Sequence, residues 1–169
     1  MTIDPLSPVH REDAMALWRE YAAGRTGPVP PEEEPVVEQF GDHRALAVEL
    51  MALVLAGTKR ATAGLVADFA AADEPLPRVG GHWIACDGAG VPRCVLRSTE
   101  LRLGRLSSVD DAFAWDEGEN DRTRRTWLAG HLAYFTRTQE ARGSAWSDDL
   151  EVVFERFRVV WPPEVADPS

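Results

Sequence analysis

The chain has 169 residues, 44% of them apolar, enough to bury a core without disulfides or metals. Its formal net charge of −10 argues against a binder of duplex DNA or generic RNA, since attachment to phosphates depends on cations. No apolar run is long enough to span a membrane, no basic and apolar leader opens the chain, and Cys86 and Cys94 make no disulfide framework, so a cytoplasmic protein with two reduced, half-buried cysteines is expected.

Helical spacing of Ala14, Leu17, Trp18 and Tyr21 predicts an amphipathic helix over residues 11–23. An irregular, exposed connection follows over residues 24–35, with four prolines and the run Glu32-Glu33-Glu34. Asp42 reads as the N-cap of a helix over residues 42–56, whose buried stripe is Leu46, Leu50, Leu53 and Val54 and whose end is marked by Gly57. The segment around Lys59 then runs out of that helix as a short extended stretch, and residues 65–72 make a further short helix. Alternating runs at 83–87 and 91–103, joined by Gly88-Ala89-Gly90, predict a hairpin. A short helix is expected over 107–114, an acidic loop over 115–121, the longest helix over 122–142 and a closing strand over 151–161. Helices, a meander, a helix and a last strand make an α+β fold, a small curled sheet or open barrel flanked by helices.

Signatures of nucleotide-binding loops, of serine-hydrolase elbows and of HExxH or CxxC metal sites are absent from the sequence, and the four histidines have no ligand-like spacing. Neither a metal nor another cofactor is expected. What remains begins with Lys59, the one lysine against seventeen arginines. Arginine keeps its proton in a protein, whereas a desolvated lysine can act as base or nucleophile, so a lone lysine marks a place where an amine is needed. Thr62 stands three residues on, and a threonine hydroxyl needs a neighbouring base before it attacks. Glu117-Gly118-Glu119 offers two carboxylates on a bend, either as an acid–base group or as a solvated acidic turn. Trp127, His131, Tyr134 and Phe135 share a helix face that is either core or a stacking wall for a nucleobase. Two arginine clusters, Arg97, Arg102 and Arg105 and Arg122, Arg124 and Arg125, read as solvated faces.

In order, Leu17-Trp18, Phe40-Gly41-Asp42, Leu53-Val54-Leu55-Ala56-Gly57-Thr58-Lys59-Arg60-Ala61-Thr62, Pro75-Leu76-Pro77-Arg78-Val79-Gly80, Ala114-Trp115-Asp116-Glu117-Gly118-Glu119, Trp127, His131 and Glu155-Arg156-Phe157 resemble the longer bacterial form of the ASCH domain family. The resemblance implies a PUA-like small β-barrel flanked by helices, with residues 40–161 as the core, 1–39 as a helix and Pro-rich loop packed on the same domain, and 162–169 as a tail. It also implies an RNA-related role: an amidohydrolase that removes an acyl group from an N4-acylated cytidine or similar nucleoside, or else an RNA-binding module or a ribonuclease. The amidohydrolase lysine, threonine and glutamate map onto Lys59, Thr62 and Glu117, with Glu119 as the fallback, and Arg60, Glu119, Trp127 and His131 fall where substrate would bind. A small nucleoside or a short RNA is then the partner, and the oligomeric state is left open. Three departures stand out: Gly81 stands where relatives often place aspartate, Asn120 replaces the last glycine of a Glu-Gly-Glu-Gly turn, and Gly64 stands where the short amidohydrolase carries an arginine.

Overall fold

Every second residue of a strand faces the same side, and two strands at the centre of the chain have runs buried on both sides, residues 82–86 in one and 94–96 in the other. They are β3 (His82–Cys86) and β4 (Pro92–Arg105), paired antiparallel as the hairpin reading requires. The computed structural model describes residues 3–25 and 34–169, and the chain divides into two compact units. The first comprises residues 1–57, 80–98 and 157–169, the second 58–79 and 99–156.

In the first unit, Trp83, Ala85, Cys94 and Leu96 cluster with Leu50, Met51 and Val54 of α2 (Arg44–Leu55) and with Phe40 and Phe157. Ile84, Cys86 and Val95 cluster instead with Ala14 and Tyr21 of α1 (Arg11–Gly24). The hairpin is therefore covered by one helix on each face. Cys86 and Cys94 belong to opposite clusters, neither forms a disulfide, and both are fully buried rather than half-buried. Burial, with Asp87 beside it, pushes the Cys86 thiol up to about 11, so this sulfur is inert at neutral pH.

One local expectation is corrected here, and one strand was not foreseen. Asp42 does not cap α2: its carboxylate lies 2.8 Å from the His43 ring nitrogen, and His43 precedes the helix without a side-chain cap. A strand unread in the sequence, β1 (Val36–Gln39), pairs in parallel with β3, Val36 opposite Trp83. Its Gln39 amide donates to the carbonyls of Ser7 and Asp87. Most of the expected 24–35 connection lies outside the described residues.

The second unit pairs β2 (Ala61–Leu65) antiparallel with β5 (Glu151–Trp161), Ala61 opposite Arg156 and Leu65 opposite Val152. Ala61, Leu65, Val152 and Phe154 form its core with Phe113, Ala114, Trp127 and Phe135. The last four come from α4 (Asp111–Glu117) and α5 (Arg124–Ala141), and α3 (Val66–Ala71) follows β2 directly. The strands follow one another in the order β1-β3-β4-β5-β2, giving a mixed sheet and an α+β fold, as the element order predicts. Among the described residues no helix is long and apolar enough to cross a membrane.

The short helix expected over 107–114 and the loop expected over 115–121 are both corrected. A 3-10 turn covers Leu106–Ser108, and α4 begins after Asp110, whose carboxylate accepts the Phe113 amide at 2.7 Å. The helix runs three residues further than expected, to Glu117, so that carboxylate is the last of a helix and not part of a solvated turn.

Candidate functional site

All of the candidate residues belong to the second unit. Gly57, at φ 85°, ends α2, and the chain runs on extended through Lys59 into β2. Two backbone features tie this stretch to the end of α4. The Arg60 amide donates to the Asp116 carbonyl at 2.7 Å, and Gly118, at φ 72°, lies so close to the Thr58 carbonyl that a Cβ there would collide with it. Glycine is needed at 118 on both counts.

This close approach brings Lys59 against the carboxylates that follow α4. Its Nζ donates to Glu117 Oε1 at 3.1 Å and to Glu119 Oε1 at 2.8 Å. The same Glu117 Oε1 lies 3.1 Å from His131 Nε2, while Trp127 Nε1 donates to Glu117 Oε2. His131 stacks on the Trp127 ring at 3.7 Å between centroids, and its Nδ1 lies 3.0 Å from the Trp127 carbonyl. One turn of α5 therefore supplies both the indole and the imidazole that address Glu117. Side-chain exposure sorts the group: Lys59 and Glu117 are at 1% and 2%, His131 and Glu119 at 12% and 20%.

Burial opposes every charge here, and the partners decide the outcome. Burial would raise the Glu117 carboxyl, but the His131 and Lys59 charges and the hydrogen bonds from His131 and Trp127 hold it down at about 2. Burial would likewise strip the proton from Lys59, yet Glu117 and Glu119 outweigh it and hold the ammonium above its ordinary range. His131 is raised as well: burial and Lys59 oppose its charge, and Glu117 and Glu119 favour it. Lys59 is thus held as an ammonium against the Glu117 carboxylate, which also biases His131 toward its charged form. Glu117, Glu119 and His131 each present one ligand atom within 4.8 Å of the others, as a divalent ion would want. In this structure the Lys59 ammonium bridges the two carboxylates.

Of the residues singled out in the sequence, Lys59, Glu117, Glu119, Trp127 and His131 meet in this cluster. Thr62 is half-buried on β2, opposite Glu155 in the ladder. The strand pleat puts Thr62 and Glu155 on one face and the core residues Ala61, Ala63 and Leu65 on the other. Arg60 folds back, its guanidinium donating to the Lys59 carbonyl at 2.7 Å. Tyr134 packs at the edge of the core, with Phe135 inside it. Glu155 was missed as a candidate: it is buried, and the signal was a glutamate between Val153 and Phe157 on an otherwise apolar strand face. The second arginine cluster is largely committed to protein groups, Arg124 to the Val109 and Ser107 carbonyls and Arg122 to the Trp115 ring at 3.8 Å. In the first, Arg102 lies 4.0 Å from the Phe154 centroid and Arg105 pairs with Asp149 at 2.8 Å.

An α+β chain with a mixed sheet and a buried lysine–carboxylate cluster is thus the class defined by fold and site. A sequence model of the ASCH domain matches residues 36–161, and the chain belongs to that family, which has a PUA-like fold. Among solved structures it is similar to an ASCH domain from Lactobacillus crispatus JV V101, at 25% identity and a TM-score of 0.80, over 89% of this chain and 96% of that one. It is also similar to protein EF3133 from Enterococcus faecalis V583, at 24% identity and a TM-score of 0.78, over 88% of each chain. No curated protein sequence matches it.

Proposed function

We propose that this ASCH protein hydrolyses an amide on a modified nucleoside, with an N4-acylated cytidine as the type substrate. The observation that carries the reading is the chain's one lysine, buried as an ammonium between two carboxylates. A buried ion cluster is a weak source of stability, since apolar side chains of similar volume often do as well, and strongly perturbed groups concentrate where chemistry is done. Because Lys59 is held charged and enclosed, its role is that of a fixed cation whose field, without direct contact, favours the negative charge that develops on the acyl oxygen. A neutral lysine base is disfavoured by the two carboxylates bonded to it. Thr62, which lies outside the cluster on β2, is assigned the attack on the acyl carbon from the family resemblance alone. Glu117 fixes Lys59 and His131, and Glu119, the more exposed of the two carboxylates, is suited to hold the exocyclic nitrogen of the base.

The rival reading, a general RNA-binding module, loses support from the committed arginines and from the net charge of −10. The test is mass-resolved product analysis with a panel of N4-acyl cytidines and short RNAs, using wild type, Lys59→Arg and Thr62→Ala, with thermal melts as controls. Release of the free acid by wild type is expected. Lys59→Arg should keep a sizeable part of the rate if the lysine is a fixed charge, and Thr62→Ala should lose roughly 10²-fold or more. Undiminished turnover by both variants would remove this segment from the chemistry.

A further inference from the structure

We infer that His131 is the proton donor of this site, its Nε2 proton passing to the nitrogen that leaves when the amide breaks. The inference rests on the hydrolase reading above. It adds a residue outside the lysine, threonine and glutamate of the family resemblance.

Hydrogen-bond polarity fixes the protonation of the ring. The Trp127 carbonyl, 3.0 Å from Nδ1, only accepts, so Nδ1 bears a proton. At Nε2 the neighbour is Glu117 Oε1, 3.1 Å away, on a carboxylate that already takes donors from Lys59 and Trp127. A carboxylate with those donors is the ionised form, so the proton between it and the ring lies on the ring. His131 therefore rests as an imidazolium. Of the groups that face it from neighbouring elements, Glu117 at the end of α4 and Glu119 in the following loop favour the charge, and Lys59 opposes it. From its own helix the rings of Trp127 and Phe135 pack against it.

Acidity and access then select the donor. Two groups of the cluster hold a transferable proton, Lys59 and His131. An ordinary imidazolium near pKa 6.5 is a stronger acid than an ordinary ammonium near 10.4 by about four orders of magnitude. The same carboxylates favour the charged form of both groups. His131 is also the more exposed of the two cations, with Lys59 enclosed. To take that proton an amide nitrogen must replace Glu117 Oε1, 3.1 Å away, as the acceptor at Nε2.

Protons balance over the cycle. The Thr62 oxygen bonds to the acyl carbon while its proton passes to Glu119. The carbon–nitrogen bond breaks, and the nitrogen keeps that electron pair and takes the Nε2 proton, leaving as a neutral amine. Water then cleaves the threonyl ester to the free acid, and the proton held on Glu119 returns to His131.

The experiment measures kcat/KM against pH for wild type and His131→Gln on N4-acetylcytidine and on 4-nitrophenyl acetate. The ester's leaving group departs as a stable anion and needs no proton. Loss of roughly 10²–10⁴-fold on the amide, with the ester rate nearly kept and the alkaline limb of the amide profile gone, is expected. Equal losses on both substrates, or none on the amide, would overturn the assignment while wild-type turnover of the amide kept the hydrolase reading intact. Wild type inactive on every N4-acyl cytidine would remove both. Independently of turnover, nitrogen-15 NMR should show both His131 ring nitrogens protonated at pH 7, and a single-proton tautomer there would exclude it as the donor.

Discussion

The two units of this chain bury different things. Around β3 and β4, the first unit encloses aromatic and aliphatic groups, and its buried polar side chains are Ser98 and His82, the latter 3.0 Å from the Tyr21 hydroxyl. Beside a core of similar make-up, the second unit encloses Lys59, Glu117 and Glu155. Apolar burial is non-directional and needs only volume, so the first unit tolerates repacking. A buried ion cluster is directional, and each member depends on the others for its charge. The first unit is built as a scaffold, and the second holds a site whose parts fail together.

The sharpest way to break that contrast is to remove one side chain from each. Lys59→Met keeps the volume but leaves two carboxylates beside a single imidazolium, and about 3–5 kcal/mol should be lost. Phe157→Ala, in the core of the first unit, should lose a similar amount, about 3–5 kcal/mol, through the cavity it opens. The two differ in what rescues them. Adding Glu117→Gln to Lys59→Met should recover part of the loss, whereas nothing at position 117 should help Phe157→Ala, a difference read from urea unfolding midpoints as a double-mutant cycle. A Lys59→Met protein as stable as wild type would mean that the cluster is not built as described.

Acid should act on the second unit through Glu117. Its carboxyl is lower in the folded chain, about 2, than its ordinary value near 4.3, so its contribution is complete above that ordinary value and is lost as pH falls toward 2. The span corresponds to roughly 3 kcal/mol. His131 runs the other way. Raised in the folded chain, it contributes fully below its ordinary value and loses that contribution as pH rises through the folded one. Melting temperature from pH 2 to pH 9 should therefore fall at both ends, and Glu117→Gln should flatten both slopes. An unchanged acid limb in that variant would assign the acid sensitivity to other carboxylates.

Gly118→Ala should do less. The added Cβ meets the Thr58 carbonyl and carries about 1–2 kcal/mol of left-handed strain, which splays the 58–60 segment from α4. A melt lowered by that amount, with hydrolysis reduced more than stability, would show that this close approach positions Lys59.

Much of this was legible, and the exceptions have a pattern. Strand β5 matches its expected span because apolar alternation is dense there, and α1 comes within one residue for the helical counterpart of the same reason. β1 was not legible: four residues carry little periodicity, and a parallel strand is defined by a partner 47 positions away, Trp83 for Val36. The last turn of α4 was hidden for a related reason. Asp116 and Glu117 read as a solvated loop, and what makes Glu117 buried is an ammonium 58 residues earlier in the chain and an indole 10 residues later. Lys59 was visible because counting exposed it. That His131 is biased toward its charged form was not visible, because it follows from which atoms its two nitrogens face.

The smallest expected effect concerns the loop that carries Glu119. Three of five residues there are left-handed, Gly118 at φ 72°, Asn120 at 50° and Arg122 at 61°. Asn120 stands where the resemblance places a glycine, and its φ accounts for the exchange: asparagine is among the few non-glycine residues that adopt this conformation readily. Asn120→Gly should therefore be nearly silent, within about 0.5 kcal/mol, because relief in the folded loop is offset by a looser unfolded chain. Asn120→Val should lose about 1–2 kcal/mol, since a β-branched side chain is a genuine outlier there. Comparing the two melts isolates the backbone, as neither replacement can hydrogen-bond through its side chain. If valine were as silent as glycine, residue 120 would not be left-handed in solution, and the placement of Glu119 beside Lys59 would need another support.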